Sequence, residues 1–415
     1  MTSVVADEAA ASDDEAYRLS SARVSQHWCI ITPAYPPMTG GISDHTFLLA
    51  RALADAGDTV DVWCPPAPDA ELEAPPGVPG VTVHPLSSRF GLGALGTLRR
   101  TLREQPRETR VLVQWMPTGF GLGTMNLPFA LVLFSLRGRP LDLYVHEVGW
   151  EISSRETMRR ALVGVAHRAM TWMAARSARR VYVSTPEWGR RLDVRRGAAL
   201  EPDQIAQWVP VSSNVPDRAD AARVAEIRDG LLGKARLRTV VGHFGSFDRY
   251  HAALMPHVVT RVLDEGGDRV MLLIGRGSAA VRDTIVLGRP DLAPRLAATG
   301  GVAPSEVSAH LAACDVLVQP FEDGASARRG SLMAGLALGL PTITNRGPST
   351  EDVWSAERAV HLTDSAAPHS LGGAVTKLMA DPQQRARLGA AAGALYAARF
   401  ALARGVTLLR ELEQG

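Results

Sequence analysis

Two successive runs of alternating strand-like and helix-like segments constrain this fold more than any other feature. Short apolar segments bounded by Gly, Pro or polar residues alternate with longer amphipathic ones, first within residues 27–214 and again within residues 237–400. Such alternation is typical of parallel sheets covered by helices. The sequence therefore predicts an α/β protein with two doubly wound, Rossmann-like parallel-sheet domains that face a cleft. Ligands of such sheets bind beyond the carboxyl ends of the strands.

The segments outside these runs complete the predicted organisation. Residues 1–26 are rich in Ala, Ser and acidic residues, which is typical of a disordered leader. Residues 215–236 are polar and contain no strand-like segment, so we expect a linker there. Residues 401–415 are expected to form a C-terminal helix, for which a crossing back to the N-terminal domain is one arrangement.

The predicted strands are the short apolar segments. In the N-terminal domain they cover residues 27–33, 59–64, 81–86, 111–115, 141–146 and 181–184. In the C-terminal domain they cover residues 239–244, 270–274, 296–300, 316–320, 342–344 and 359–363. Helices are expected between them, the longest around 154–178. A shorter, wholly apolar helix at 127–136 is expected to be buried.

Composition excludes several functional classes. The 45 Lys and Arg residues nearly balance the 43 Asp and Glu residues, whereas nucleic-acid-binding proteins usually carry a strong basic excess. No run of about 18 apolar residues is present, so no membrane-spanning helix is predicted. Cys29, Cys64 and Cys314 are too scattered for a disulfide framework or a zinc site, which favours a reducing, cytoplasmic location.

The first candidate site is the turn between the first predicted strand and the helix after it. Its sequence is AYPPMTGGISDH (34–45), in which Gly40 and Gly41 open the helix. Glycine lets the backbone come close to a phosphate and offer it the N–H groups of the helix N-terminus. The turn therefore fits contact with a phosphate or a sugar, and it also fits an ordinary strand–helix connection.

Two strand ends of the C-terminal domain carry further candidate anion sites. In GHFGSFDRYH (242–251), Ser246 and Arg249 follow a predicted strand, and an arginine at this place suits a diphosphate. Gly275, in GRGS (275–278), repeats the pattern at the next strand end. The alternative is a solvent-facing arginine at the start of a helix.

A third polar, Gly-rich segment, QPFEDGASARRGS (319–331), joins a strand to a helix. It supplies two serines, two arginines and a glycine close to the helix N-terminus, and these are Ser326, Arg328, Arg329, Gly330 and Ser331. Such a combination suits an oxyanion. A capping loop with solvated arginines is the alternative.

His146 and Glu147 end a predicted strand of the N-terminal domain. A histidine there can transfer a proton or bind a sugar hydroxyl, and a glutamate can hold a pair of hydroxyls. A purely structural histidine is the alternative. The sequence contains no nucleophile elbow, Walker loop, zinc ligand set or Asp-x-Asp pair.

Combined in this order, the segments resemble glycosyltransferases of the GT-B fold, specifically the retaining enzymes of family 4. Three stretches carry the resemblance, and with the domain-sized alternation they cover most of residues 27–415. They are YPPMTGGISDHTFLLARALADAGDTVDVWCP, then VGHFGSFDRYH with LLIGRGS, then ATGGVAPSEVSAHLAACDVLVQPFEDGASARRGSLMAGLALGLPTITN.

The resemblance implies roles for individual residues. Gly40 and Gly41 match the glycine pair that approaches the donor phosphate and the acceptor, and His146 matches the histidine that contacts the transferred sugar. The backbone strip that usually holds the nucleotide base matches Thr299, Gly301 and Val302. Contacts to the acceptor are expected in the N-terminal domain from Tyr35, His45 and Trp115.

The chain departs from the family pattern on the donor side. Family members usually carry two glutamates separated by seven residues, at positions that hold Ser326 and Ala334 here. The usual arginine and lysine of the first C-terminal turn fall near His243 and Arg249. We therefore expect Arg249 to bind the diphosphate, with one of the two arginines of the 319–331 segment supplying the second charge.

The resemblance implies transfer of a sugar from a UDP-, GDP- or dTDP-type donor, held mainly on the C-terminal domain, to an acceptor on the N-terminal domain. Retention of configuration is expected without a protein nucleophile and without a metal or other cofactor, because arginines and helix N-termini stabilise the leaving diphosphate. The expected acceptor is a small molecule of natural-product biosynthesis. A polysaccharide or lipid-linked glycan at the membrane surface is the alternative.

Arginines of the long predicted helix bear on that alternative. They are Arg155, Arg159, Arg160, Arg168, Arg176, Arg179 and Arg180. Such a row fits a weak contact with anionic lipid, and it also fits a solvated helix face. The loss of both family glutamates leaves open a non-catalytic subunit that activates a partner, and an epimerase of the same fold is a third alternative.

Overall fold

The structure is a computed structural model, and it describes residues 25–67, 76–149, 157–196, 206–233 and 237–411. The leader predicted for residues 1–26 therefore lies almost wholly outside the described residues. The chain divides into two compact units, one of residues 1–182 and 191–207 and the other of residues 183–190 and 208–415. This division comes before the predicted linker, and it assigns the C-terminal helix to the second unit.

The first sheet has seven strands in the order β3-β2-β1-β4-β5-β6-β7. They are β1 His27–Ile31, β2 Thr59–Cys64, β3 Val81–Pro85, β4 Arg110–Trp115, β5 Leu141–Val145, β6 Arg180–Val183 and β7 Gln207–Trp208. The pairings from β3 through β5 are parallel. The helices in this part of the chain are α1 Gly41–Asp55, α2 Leu92–Glu104, α3 Leu127–Ser135, α4 Met158–Ser177 and α5 Pro186–Arg196.

The second sheet has six strands in the order β10-β9-β8-β11-β12-β13, and every pairing is parallel. They are β8 Thr239–Phe244, β9 Arg269–Ile274, β10 Leu296–Ala298, β11 Val316–Gln319, β12 Thr342–Asn345 and β13 His361–Thr363. The accompanying helices are α6 Ala221–Leu232, α7 Arg249–Asp264, α8 Ser278–Gly288, α9 Pro304–Ala312, α10 Gly330–Ala337, α11 Val353–Ala356, α12 Pro368–Ala380, α13 Pro382–Leu395 and α14 Leu402–Glu411.

Every predicted strand is present, with ends shifted by at most two residues. The predictions succeed because the central strands are buried on both faces and read as continuous apolar runs, as in β4 and β9. β7 was not predicted, since two residues carry no periodic pattern. The predicted linker contains α6, whose Ile227 packs against Ala309 and Ala313 of the second unit.

Apolar side chains on both faces of the second sheet explain its helical layers. One face presents Val241 and Leu273 to α7 and α12, whereas the other presents Val240 and Leu272 to α9. In both sheets the strand order reverses at the first strand, between β1 and β4 and between β8 and β11. The turns after these strands therefore border the crevices where doubly wound sheets bind ligands.

The apolar helix predicted at 127–136 is α3, but the expectation that it is buried is wrong in part. Phe129, Ala130 and Leu133 are buried, whereas Leu127 and Leu131 are 38% and 56% exposed. A wholly apolar helix has no polar side that would show which face is exposed. No helix among the described residues is long and apolar enough to span a membrane.

Candidate active site

The turn before α1 leaves the backbone of a helix N-terminus open. α1 begins at Gly41, and no side chain caps it. Gly40 has a φ of 147°, which favours glycine, and a Cβ added at Gly40 or Gly41 would meet no heavy atom within 4 Å. A ligand can therefore approach this backbone closely. The phosphate contact expected here stays a prediction, and the open geometry supports it.

Three aromatic rings meet where β5 ends. The ring of His45 on α1 lies 5.1 Å from that of His146, centroid to centroid, and Tyr144 stacks on His146 at 4.6 Å. Burial lowers the pKa of His45 to about 4. Burial, and after it the neighbouring His45, lowers the pKa of His146 well below its ordinary value. Both imidazoles are therefore neutral at pH 7.

A hydrogen bond orients the ring of His146. Its Nε2 lies 2.6 Å from Oε1 of Gln114, on the neighbouring strand β4. Because that oxygen accepts, the assigned hydrogen-bond network places the proton on Nε2 and leaves Nδ1 as an acceptor. Nδ1 has no hydrogen-bond partner among the described residues, and a sugar hydroxyl can donate to it.

Glu147 and Trp115 flank this histidine but differ in exposure. The N–H groups of His146 and Glu147 both point to the carbonyl oxygen of Trp115, at 2.9 and 3.4 Å. The half-buried Glu147 carboxylate accepts from the Thr118 hydroxyl at 3.5 Å. Trp115 is fully buried, and its indole N–H donates to Thr171 at 3.2 Å. This burial argues against the acceptor contact that was expected from Trp115.

Tyr35 lines an apolar cavity of about 220 Å³ beside the carboxyl ends of β2 and β3. Its ring lies 6.0 Å from that of Phe47, and burial raises the pKa of its hydroxyl to about 12. Other lining residues are Pro36, Pro37, Cys64, Val83 and Pro85. A cavity of this size and lining suits an apolar group of a small acceptor.

In the second unit, the turn after β8 leads directly into α7. Asp248 caps the helix by accepting from the N–H of His251 at 3.0 Å. Ser246 and Arg249 are both exposed, and Arg249 forms no ion pair within the part of the chain that is described. The guanidinium can therefore meet an anionic ligand, as the expected diphosphate contact requires.

The turns after three adjacent strands, β8, β9 and β10, are tied together. A Cβ on Gly275 would lie 2.1 Å from the carbonyl oxygen of Gly245, and Gly275 has a φ of 116°. Both constraints favour glycine. The Gly275 N–H donates to the Thr299 hydroxyl at 3.1 Å, and the Gly300 N–H donates to Ser278 at 2.9 Å. Gly275 and Thr299, both predicted donor contacts, thus lie at one surface.

Arg276, for which no role was predicted, joins this surface. It is exposed, and it has no ion pair among the residues described. Its side chain lies along Gly301, where an added Cβ would come within 2.8 Å of the arginine Cγ. Val302 follows and is 36% exposed. The signal that could have identified Arg276 is its place between two glycines at a strand end.

The two adjacent arginines of the third predicted site are engaged within the protein. Arg328 and Arg329 both form ion pairs with Asp323. Arg328 also lies over Trp188, and Arg329 over Phe321. Burial alone would raise the pKa of Asp323, but the two arginines hold it below its ordinary value. Asp323 therefore offsets part of the charge that either arginine could offer to a diphosphate, and the contacts expected from Arg328 and Arg329 stay predictions.

Two family profiles match the chain. The one described as Glycosyltransferase Family 4 covers residues 39–206, and the one described as Glycosyl transferases group 1 covers residues 238–381. This chain is a glycosyltransferase, and its two parts match these two profiles. The resemblance inferred from the sequence is thereby confirmed, and so is the enzyme class. A search of curated proteins finds no match.

Solved structures show the fold of this glycosyltransferase in other proteins. Anabaena HepE in complex with UDP has a TM-score of 0.67 at 16% identity, over 93% of this chain and 99% of its own. Sucrose-phosphate synthase from Thermosynechococcus elongatus also has a TM-score of 0.67 at 16% identity, over 93% of this chain and 98% of its own. WaaG, involved in lipopolysaccharide biosynthesis, has a TM-score of 0.63 at 15% identity, over 94% of this chain and 100% of its own. The predicted fold of two doubly wound α/β sheets is confirmed.

The glycosyltransferase has a buried serine where the family usually has its first glutamate. Ser326 is fully buried, and its hydroxyl donates to Glu351 at 3.0 Å. Glu351 also accepts from the Ala327 N–H at 3.0 Å and from the Trp354 indole at 2.8 Å. Burial raises the pKa of this carboxyl. These bonds are internal, so they argue against the donor contact expected from Ser326.

Gly330 and Ser331 form the first turn of α10 and are half-buried. No side chain caps this helix, so its first backbone N–H groups do not donate to a capping side chain. A helix N-terminus of this kind favours anions. The donor contacts expected from these two residues stay predictions.

By the resemblance, the usual family arginine falls near His243. His243 is fully buried, its Nδ1 donates to the Val318 carbonyl at 2.8 Å, and burial lowers its pKa to about 3. Its Nε2 is buried without a hydrogen-bond partner in the described chain. A neutral imidazole cannot supply the charge of an arginine. Arg249 and Arg276, on the nearby turns, are exposed and carry such a charge.

Proposed function

We propose that this glycosyltransferase uses a nucleoside diphosphate sugar as donor and binds the diphosphate at the tied turns after β8, β9 and β10. The observation that carries the proposal is the pair Arg249 and Arg276, two exposed arginines without an ion pair among the described residues, on turns that glycine allows to pack against each other. Guanidinium groups bind phosphate oxygens through paired hydrogen bonds. HepE has been solved with UDP and with UDP-glucose, which is consistent with such a donor.

The proposed reaction proceeds with retention. The bond between the anomeric carbon and the diphosphate oxygen breaks, the acceptor oxygen bonds to the anomeric carbon from the same face, and the acceptor proton passes to the leaving diphosphate. Negative charge builds up on the diphosphate, where Arg249 and Arg276 stabilise it. Because these arginines supply the positive charge, we assign no metal to the reaction. In the first unit, His146 offers its acceptor Nδ1 to a sugar hydroxyl.

We propose that the acceptor is a small molecule with an apolar group, as in natural-product biosynthesis. The apolar cavity beside Tyr35 supports this class, because its volume of about 220 Å³ suits such a group. The acceptor contact expected from His45 stays a prediction, because its Nε2 is buried and has no partner in the described chain. A cytoplasmic location remains an expectation from the sequence.

A binding panel tests the donor proposal. We would measure the affinity of the full-length protein for UDP, GDP, dTDP and ADP by calorimetry, together with the shift in melting temperature that each causes. We expect selective binding of one nucleoside diphosphate and turnover of the corresponding sugar nucleotide. Absence of binding to all four would overturn the proposal and favour the non-catalytic partner subunit.

A specific observation favours a second candidate, an acceptor at a membrane surface. Apolar residues recur on α4 at spacings of four and three and form one exposed stripe, which comprises Met158, Leu162, Val165, Ala169 and Trp172. Leu162 is 61% exposed and Trp172 is 39% exposed. α3 packs against α4 and adds the exposed Leu127 and Leu131. An exposed apolar surface of this kind marks an interaction site.

Positive charge flanks the stripe. At 100° per residue, Arg159 and Arg168 project on opposite sides of it, and neither forms an ion pair among the described residues. Arg176 continues the stripe and lies 5.4 Å from the Trp172 ring. Helices that lie in a bilayer interface combine such features, because the stripe enters the headgroup region while arginines pair with anionic lipid. Arg155, also expected in this row, lies outside the described residues.

Vesicle binding tests this candidate. We expect the protein to sediment with vesicles that contain phosphatidylglycerol and not with pure phosphatidylcholine, and we expect Leu162→Glu to abolish the binding. Leu287→Glu is a matched control, since Leu287 on α8 is 86% exposed and lies on the other unit. No binding by the unaltered protein, equal loss in both variants, or self-association through the stripe would contradict the membrane candidate.

A further inference from the structure

Four side chains with metal-binding atoms lie on one face of the first sheet, on the neighbouring strands β1, β2 and β3. His27 and Cys29 are two residues apart on β1 and therefore share a face. Asp61 on β2 lies directly opposite Cys29 in the parallel register. His84 on β3 is paired with Trp63, the next residue of β2 on the same face as Asp61.

The distances among these groups suit a single ion. Nε2 of His27 lies 2.8 Å from Oδ2 of Asp61, and Nε2 of His84 lies 2.7 Å from Oδ1. One ligand atom each from His27, Cys29 and Asp61 lies within 4.8 Å of the other two. Ligand atoms around a tetrahedral zinc ion are about 3.3–3.8 Å apart, given bond lengths of about 2.0–2.3 Å. Small side-chain rotations therefore suffice to enclose an ion.

We propose that His27, Cys29 and Asp61 bind one divalent transition-metal ion of the zinc type, with water as the fourth ligand. A nitrogen, a sulfur and an oxygen donor together suit zinc, whereas magnesium and calcium prefer oxygen donors alone. The side chains of His27 and Asp61 are 33% and 20% exposed, so an ion and its water have access. The Cys29 thiol proton is released to solvent on binding.

Outer contacts hold the ligands in place. The Nδ1 of His27 lies 3.3 Å from the Thr109 hydroxyl, and His84 holds the second oxygen of Asp61. His84 is itself stacked on Trp63, with 4.5 Å between ring centroids. Such outer partners fix the orientation of metal ligands and typically contribute 10–100-fold to metal affinity.

The location sets the role of the ion. Cys29 lies in the middle of β1, two residues or about 7 Å before the strand ends at Ile31, and the turn with the open glycines comes after that end. None of the three ligands is among the residues expected to contact the donor or the acceptor, so we assign the ion no part in the reaction. It joins β1 to β2 directly and β3 through His84, so it stabilises this edge of the sheet.

Cobalt titration of the full-length, chelator-treated protein tests the proposal. We expect one equivalent of Co²⁺ to produce a near-ultraviolet thiolate-to-cobalt absorption band, and one equivalent of Zn²⁺ to displace it and raise the melting temperature. Cys29→Ser should abolish the band, and His84→Gln should weaken binding by about 10–100-fold. Cys64→Ser is the matched control, because Cys64 is also buried but lies on the opposite face of β2.

Two further variants keep the test decisive if Cys29→Ser does not fold. His27→Gln and Asp61→Asn alter partly exposed groups, and each should lower Zn²⁺ affinity at least tenfold while the protein keeps its fold. Absence of the cobalt band in the unaltered protein, or its persistence in folded Cys29→Ser, would overturn the proposal and leave a purely hydrogen-bonded cluster.

Discussion

The imidazole of His45 lies edge-on to that of His146, with 5.1 Å between the ring centroids and 71° between the ring planes. Each ring keeps one nitrogen without a hydrogen-bond partner among the described residues, Nε2 of His45 and Nδ1 of His146. Burial lowers the pKa of both, so neither carries charge near pH 7. Both rings are therefore neutral, and we propose that Nδ1 of His146 accepts a hydrogen bond from a sugar hydroxyl.

We expect His146→Ala to lower kcat by about 10²–10⁴-fold, the usual contribution of a positioned acid–base group. Nucleotide affinity should change little, because the arginines that we assign to the diphosphate are on other turns. A loss in kcat without a loss in binding indicates a contact made mainly in the transition state. Single-turnover sugar transfer and nucleotide calorimetry on one preparation measure both quantities.

His310→Ala is a suitable comparison for that variant. His310 is half-buried in the second unit, and its Nδ1 donates to the backbone of its own helix at 2.7 Å, as a structural histidine would. The His310→Ala protein should lose some thermal stability and keep the turnover of the unaltered protein. Turnover at the unaltered level by a stable His146→Ala protein would exclude a catalytic role and shift attention to Glu147.

Stability should fall as pH falls from 7 to 5. The folded protein keeps His45 neutral down to about pH 4, whereas the unfolded chain protonates it near pH 6.5. Between these values the unfolded state binds more protons, so acid favours unfolding. For His45 alone the loss at pH 5 is about 2 kcal/mol. Urea unfolding at both pH values should show a smaller loss for His45→Asn, and an equal loss would contradict the assignment.

Local patterns predicted the strands and the open glycines, because each depends on a few neighbouring residues. The contacts that decide the remaining site depend on the folded chain. Glu351 reaches Ser326 from another segment, and nothing near the serine in sequence indicates a carboxylate there. The zinc-type cluster is similar, since its ligands come from adjacent strands that only the sheet register brings together.

Turnover should survive exhaustive treatment with EDTA. The proposed reaction balances the diphosphate charge with arginines, so removal of divalent ions leaves the chemistry intact. The same treatment should lower the melting temperature if an ion is bound at His27, Cys29 and Asp61. Loss of turnover with EDTA and recovery with Mg²⁺ or Mn²⁺ would show that the metal-free assignment is wrong.

Arg249→Ala and Arg276→Ala should each weaken binding of the preferred nucleoside diphosphate. A charge-assisted hydrogen bond is worth about 1.5–3 kcal/mol, which corresponds to about 10–150-fold in affinity. Arg282→Ala is the control, since Arg282 is a partly exposed arginine of α8 that pairs with Asp283. Unchanged affinity in both folded variants would remove the turns after β8 and β9 from the donor site.

Two glycines at strand–helix turns have opposite steric surroundings and should respond differently to alanine. Gly275→Ala would place a Cβ 2.1 Å from the Gly245 carbonyl at a φ of 116°, so it should lower stability by at least about 1–3 kcal/mol and loosen nucleotide binding. In Gly41→Ala the added Cβ meets no heavy atom within 4 Å, and alanine favours the helix that begins at this residue.

Gly41→Ala should therefore keep its melting temperature yet lower kcat/KM by about tenfold or more, equivalent to about 1.4 kcal/mol, because the new methyl group occupies the space through which a ligand approaches the α1 backbone. Thermal melts and steady-state kinetics on both variants measure the contrast. An unchanged kcat/KM in Gly41→Ala would mean that no ligand comes close to this turn. A fully stable Gly275→Ala would mean that the turns after β8 and β9 can separate without cost.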